Sequence, residues 1–305
     1  MTIVGIANLM HKEMSVRQDL ETLYYEQYDD GVVVLTLNRP DRGNGVVPEL
    51  VRDFVETLTR LEADKSVRAL VLTGAGKQFS AGADLKAMKD YLENQHRIEH
   101  EPYNARVLFP LTQRVVASRL PTIAAINGGA TAGGLDFALA CDIRICSTKA
   151  KMGETYINMG LPPGNGGSYF LPRLLGSGMA AELALTGDVI DAQRALEIGL
   201  VNRVVEPEDL IPEAVALASK IAAKSWRAVE ATKQALRSTW QVDLATSMTN
   251  SFWAVSALHY GPDLLEGVSA FLDKRPPCFN KDRTREAVSQ SKNPAATTSN
   301  HASLQ

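Results

Sequence analysis

The chain has 305 residues, a formal net charge of −3, 45% hydrophobic residues and 22% charged ones. That composition describes an ordinary globular protein, long enough for one large α/β domain or a domain with a helical appendage. Its mild acidity excludes an electrostatic case for nucleic acid or an anionic membrane surface, and no apolar run approaches the ~20 residues of a membrane span.

Residues 1–22 read as an N-terminal extension. The segment MTIVGIANLMHKEM lacks a basic start and has too short an apolar run for a signal peptide. The fold is expected to begin near Tyr25. DGVVVLTLNRP, from Asp30, reads as a buried strand and a turn. Pro48 to Asp64 then places Val51, Phe54, Val55, Leu58 and Leu61 at helical spacing, with Pro48 suited to a first turn. Three more apolar runs read as strands: Val67 to Gly74, the stretch from Thr122, and the stretch from Asp142. Strands and helices alternate to about Gly187, which predicts an α/β core.

From Asp188 the pattern turns helical. The stretch Trp226 to Trp240 suits an amphipathic helix, as does Pro262 to Lys274 with Leu264, Leu265, Val268 and Phe271 on one face. Pro276 and Pro277 stop the second of these. The tail from Asn280, rich in Ser, Thr, Asn and Ala, is expected to be disordered.

Cys141, Cys146 and Cys278 form an odd, sparse set, which argues for a reducing, cytoplasmic setting rather than a disulfide framework. The first two, in ALACDIRICS, read as packed thiols. The histidines His11, His96, His100, His259 and His301 show no ligand spacing with Cys or carboxylates, so no metal site is expected.

Two small-residue segments carry the chemistry. FSAGADLKAM, Phe79 to Met88, and INGGATAGGLD, Ile126 to Asp136, each follow an apolar run and lead into a helical pattern. Gly and Ala there let a backbone N–H approach a ligand closely. Two such junctions can aim two N–H groups at one oxygen, the geometry of an oxyanion hole. Read singly, each is only a tight turn, with Asp84 as an N-cap in the first and Asp136 complementing a helix dipole in the second. A third glycine-rich turn follows in MGETYINMGLPPGNGGSYFLPRLLG, from Met152.

Together with NRPDRGNG, LTGDVIDAQRALEIGLVNRVV and EGVSAFLDKRPP, these segments resemble the crotonase, or enoyl-CoA hydratase/isomerase, superfamily from Tyr25 to Phe279. The resemblance implies a fold of repeated ββα units with a C-terminal helical trimerisation region. It sets the core at 23–205, the helical region at 206–279 and the tail at 280–305, and it implies a homotrimer or homohexamer. It also implies an acyl-CoA substrate with no separate cofactor, and an oxyanion hole made by the backbone N–H groups of Ala83 and Gly133. The GLPPGN turn with LVLTGAG further resembles hydroxycinnamoyl-CoA hydratase-lyases, whose aromatic substrate and cleavage reaction are not carried over here.

The resemblance aligns Asp136 with the family's first catalytic glutamate and Tyr156 with its second. Glu154 falls two residues earlier, at a non-catalytic position, although a strand's alternation could still put it on Tyr156's side. Asp is one methylene shorter than Glu, and an ordinary Tyr, with a pKa of about 10, donates a proton more readily than it takes one. Asp136 is therefore expected to move protons and Tyr156 to orient or donate. Decarboxylation or C–C hydrolysis of an acyl-CoA stays open, as does CoA-ester binding without turnover.

For the CoA itself the resemblance points to Arg42, Ser80, Ala81, Phe271 and Lys274. Solvated surface charge is the alternative reading of Arg42 and Lys274. The segment Tyr91 to Arg119, with His96, His100, Tyr103 and Phe109, would line the acyl pocket.

Overall fold

The computed structural model describes residues 14–94 and 103–281. Two compact units divide the chain, one made of residues up to 63 together with 67–222, the other of 64–66 and the residues from 223 onward.

The first unit opens with an antiparallel meander of β1 (Met14–Asp19), β2 (Leu23–Tyr28) and β3 (Val32–Leu37). The sheet thus begins at Met14, ahead of the start expected near Tyr25. β1 is mostly exposed and polar, so its sequence, MSVRQD, carries no core pattern. Helix α1 (Pro48–Ala63) follows, burying Phe54, Leu58 and Leu61, and leads to β4 (Ala69–Gly74), parallel to β3.

A repeating unit then appears: a long strand, a short strand and a helical segment. The first is β4, β5 (Gln78–Ser80) and α2 (Leu85–Asn94). After α3 (Tyr103–Val116) comes β6 (Thr122–Ile126), β7 (Gly129–Thr131) and α4 (Gly133–Leu139). The third is β8 (Ile143–Ser147), β9 (Lys151–Gly153), a 3-10 turn over Thr155–Met159 and α5 (Gly167–Leu175). The unit closes with α6 (Ser177–Thr186), β10 (Ile190–Asp191), α7 (Ala192–Glu197), β11 (Arg203–Val205) and α8 (Leu210–Ala222).

The long strands, with the three-residue β11 at one edge, build a seven-stranded sheet in the order β1-β2-β3-β4-β6-β8-β11, parallel from β3 onward. The short ones build a four-stranded sheet in the order β10-β9-β7-β5. The long central strands are buried and mostly apolar because both faces are covered. Leu35, Leu37, Leu70, Leu72 and Ile126 join one core cluster with Phe54 and Leu58 of α1. Their alternates Val34, Val71, Ile123, Ala125 and Ile145 pack with Leu210, Ala214, Val215 and Ala218 of α8. The division therefore falls after Ala222, whereas the sequence reading ended the core at 205: α8 is the cover of the sheet's second face.

The second unit holds α9 (Trp226–Ser238), α10 (Leu244–His259) and α11 (Pro262–Leu272). Asn280 ties it together. Its side chain accepts from Trp226 N–H (2.9 Å) and donates to Lys224 C=O (2.9 Å), while its own N–H reaches Asp263 Oδ1 (2.9 Å). Asn280, where the disordered tail was expected to start, is thus only 5% exposed. The apolar face expected on α11 is real but uncovered, with Leu264, Leu265, Val268 and Phe271 all exposed.

Candidate active site

The two small-residue segments lie where the small sheet meets its helices. Ala83 follows β5 and makes an isolated bridge with Val46. That bridge uses Val46 N–H to Gly82 C=O (2.8 Å) and Asp84 N–H to Val46 C=O (3.1 Å). Ala83 N–H takes no part in this ladder. Gly133 is the first residue of α4, so its N–H has no partner within the helix.

The two segments touch. A Cβ built on Gly82, whose φ is +85°, would sit 2.9 Å from Gly133 N. Only glycine permits this approach and this conformation together. A Cβ on Gly134 would run into the Ser80 carbonyl, so α4 rests directly on β5. The N-cap Ala132 has φ +47° and ψ −123°, a strained conformation for a residue with a side chain. Phe137 locks the helix from behind, its ring centroid 5.3 Å from Phe54 and 6.1 Å from Phe79.

The first loop is braced by its own side chains. Asp84 Oδ1 accepts from the N–H groups of Lys86 (3.1 Å) and Ala87 (3.2 Å), the N-cap expected from the sequence, and Oδ2 pairs with Arg39 at 2.9 Å. Although burial opposes its charge, these partners hold the Asp84 carboxyl below its usual range. Ser80 is fully buried, donates to Asn44 C=O (3.0 Å) and accepts from Gly82 N–H (3.2 Å), so its side chain shapes the loop.

A cavity of about 460 Å³ opens here, lined among others by Arg42, Ala81, Ala83, Leu108, Gly133 and Tyr156. Leu108 of α3 comes from the segment expected to line the acyl pocket, whereas Phe109 is 46% exposed. His96 and His100 lie outside the described residues. Phe271 and Lys274 belong to the second unit, where Phe271 lines an apolar cavity of that unit's own helices.

Asp136 and Tyr156 are brought together, but not side by side on the cavity. Tyr156 lines it, whereas Asp136 is fully buried behind. Tyr156 Oη donates to Asp136 Oδ2 at 2.7 Å, and Asn165 Nδ2 donates to Tyr156 Oη at 2.7 Å. Having given its only proton to Asp136, the phenol must accept from the amide, which leaves room for one further donor. Burial, with the Asp136 charge adding to it, pushes the Tyr156 phenol up, so it stays protonated. Burial also raises Asp136, while the Tyr156 hydrogen bond and nearby N–H groups of Asn165 and Gly167 pull the other way.

Strand alternation does not relate Glu154 to Tyr156, because β9 ends at Gly153 and Tyr156 sits in the 3-10 turn. Glu154 is nevertheless fully buried beside Asp136. Asn165 was missed as a side chain, although its turn was singled out; an amide just before the Gly166 N-cap was the available signal. Both core cysteines are buried as expected, and burial pushes the Cys146 thiol up to about 12. Among the described residues no group of three or more His, Cys, Asp and Glu is placed to hold a metal ion, and no helix is long and apolar enough to cross a membrane.

Parallel ββα repeats, with Ala83 and Gly133 lining one cavity, are the architecture of a crotonase fold. The enoyl-CoA hydratase/isomerase family model matches residues 27–283, and the chain belongs to that family, within the crotonase superfamily. It is 37% identical over 250 residues to a crotonyl-CoA hydratase of Syntrophomonas wolfei, covering 81% of this chain and 94% of that protein. It is 37% identical over 245 residues to a short-chain-enoyl-CoA hydratase of Clostridium acetobutylicum, covering 80% and 92%. The crystal structure of an enoyl-CoA hydratase from Bacillus anthracis superposes with a TM-score of 0.80 at 37% identity, covering 85% of this chain and 99% of that one.

Proposed function

We propose that this chain is an enoyl-CoA hydratase or isomerase type of enzyme in which Asp136 works through the hydroxyl of Tyr156. The thioester oxygen would sit between Ala83 N–H and Gly133 N–H, and the field at the start of α4 would add to the two hydrogen bonds. That grip lowers the cost of an enolate and needs no cofactor beyond the CoA carried by the substrate.

The observation that carries the proton step is the chain Asn165–Tyr156–Asp136, with Tyr156 at the cavity and Asp136 behind it. In hydration, a water O–H donates to Tyr156 Oη as the phenol proton passes to Asp136. The hydroxide so formed bonds to the β-carbon, and the thioester becomes an enolate. Asp136 then returns the proton through Tyr156 to the α-carbon, giving a 3-hydroxyacyl-CoA and restoring both residues. In isomerisation the same relay takes a proton from one carbon and delivers it to another. Tyr156 is thus the catalytic side chain and Asp136 a positioning residue that holds the proton between steps.

The deciding experiment follows crotonyl-CoA and 3-enoyl-CoA esters with the purified protein, and D136N and Y156F alongside. Turnover that drops in both variants supports the relay; full activity in either overturns it. The burial of Asp136 also favours a second reading, decarboxylation, because that reaction needs the oxyanion hole but no carboxylate base. Carbon dioxide release from malonyl-type esters, without hydration of crotonyl-CoA, would replace the first reading.

CoA binding is assigned to Arg42, to the backbone about Ser80 and Ala81, and to Phe271 and Lys274. Arg42 and Ala81 at the cavity wall support the first part. A homotrimer or homohexamer is proposed for the assembly. Support comes from the second unit, where Phe252, Trp253, Tyr260 and Phe271 are 62%, 65%, 94% and 83% exposed. Isolated chains rarely leave such a surface in water. Light scattering that gives a monomer mass at micromolar concentration would remove this part of the proposal.

A further inference from the structure

Glu154 is buried without exposure, yet neither of its carboxyl oxygens has a hydrogen-bond partner among the described N–H and O–H groups, and Asp136 Oδ1 lacks one too. The two carboxyls are close enough to interact. A Cβ built on Gly167 would lie 2.6 Å from Asp136 Oδ1 and 2.6 Å from Glu154 Oε1, so both oxygens crowd the bare first turn of α5. Two buried carboxylates at such range cannot both be charged, and a single proton between them turns two orphaned oxygens into one hydrogen bond.

Which carboxyl keeps the proton follows from the surroundings. Asp136 accepts from Tyr156 and faces the N–H groups of Asn165 and Gly167. Glu154, just after β9, faces among the described residues the Asp136 carboxyl of α4 and the Tyr156 phenol of the 3-10 turn as titratable groups, and α5 meets it with a glycine. Burial first, and then the Asp136 charge, drive Glu154 far toward its neutral form.

Resting on the relay reading of the site, we propose that Glu154 is a positioning residue that keeps the one proton of the buried carboxyl pair and donates it to Asp136 Oδ1. Asp136 is thereby fixed as an anion with its other oxygen aimed at Tyr156. Glu154 never touches substrate. Its neutral O–H stabilises the charge that must accept the phenol proton, and it does so from the side opposite the cavity. The sequence E-T-Y thus supplies two side-chain partners of Asp136, one for each carboxylate oxygen.

The test has two readouts. Infrared difference spectra of the folded wild type against E154Q at neutral pH should show a protonated-carboxyl C=O stretch that the variant lacks. Absence of that band overturns the proposal whether or not any substrate is turned over. With crotonyl-CoA as probe, E154Q retains a neutral donor and should keep the acidic limb of the wild-type pH–kcat profile, losing no more than about threefold in kcat. E154L retains none, so Asp136 should be harder to ionise and the limb should move to higher pH by about one unit. A folded E154L with the wild-type limb overturns the proposal. Should the wild type leave crotonyl-CoA unchanged, the relay reading fails, and the infrared band still decides where the proton sits.

Discussion

The candidate site has two walls built on different physical terms. One is backbone: the N–H groups of Ala83 and Gly133, set by the hard contacts of Gly82 and Gly134. The other is side chain: Tyr156 at the surface of the cavity, with Asp136, Glu154 and Asn165 buried behind it. The first wall has no protonation state and is the same for any thioester. The second depends on where two protons reside among three titratable groups, Tyr156, Asp136 and Glu154. On the proposed reading, binding and enolate stabilisation belong to the rigid wall, and the choice of reaction to the titrating one.

The sharpest way to break this comparison is at the rigid wall. Ala83→Pro removes one donor without removing a ladder bond, since the Val46 bridge uses its neighbours. We expect kcat to fall by about 10²–10³-fold, the range seen when one oxyanion donor is lost. Exchange of the substrate α-proton with deuterated water should fall with it. A near-normal rate in a folded variant would remove Ala83 from the site.

Changes at the other wall come next. Y156F should cost about 10²-fold in kcat, the lower range of general acid–base contributions, while acyl-CoA affinity stays near wild type in titration calorimetry. A loss of affinity equal to the loss of rate would mean that Tyr156 shapes the cavity rather than moving protons.

The pH profile separates the walls without any substitution of the backbone. Burial raises Asp136, and the anion is the form that accepts a proton. Activity should therefore fall as pH falls, with an inflection above the ordinary carboxylate range of about 3.9. D136N should abolish that limb along with most of the rate.

A smaller effect is expected at Arg42. R42A should raise KM about threefold to tenfold for an acyl-CoA yet leave a pantetheine thioester unaffected, if the guanidinium meets CoA phosphate as charge-assisted contacts do. Equal effects on both substrates would confine Arg42 to shaping the cavity.

The mildest prediction concerns stability. Glu154 is raised in the fold, so the folded state binds more protons than the unfolded chain once pH exceeds the unfolded value of about 4.3. The stability tied to that group is full below this value and is lost as pH rises. E154Q removes the dependence. Its Tm relative to wild type should climb between pH 5 and pH 8, and a flat difference would mean that Glu154 is ionised in the fold.

The rigid wall was legible in the sequence because its residues are dictated by clearance. Gly82 and Gly134 are glycines since a main chain occupies the space of a Cβ, and such positions stand out in FSAGADL and GATAGGLD. The long strands were legible for a similar reason, both of their faces being buried. The titrating wall was legible only by residue type. Asp136 and Tyr156 were found, but three segments had to converge before Tyr156 stood in front of Asp136 and Glu154 behind it. The strands β5, β7 and β9 have three residues each, too few to leave a period. β1 left none because it lies exposed at the edge.

Among the described residues neither the Ala83 nor the Gly133 amide has an acceptor, and hydrogen exchange can read this. Most N–H groups in such a well-packed region are bonded to protein and exchange slowly with solvent. Ala83 lies outside its ladder and Gly133 starts its helix, so in the unliganded protein both amides should exchange quickly inside an otherwise slow neighbourhood. A thioester oxygen would give each its missing acceptor. Deuterium uptake at these two positions is therefore a built-in gauge of occupancy, readable with any acyl-CoA, reactive or inert.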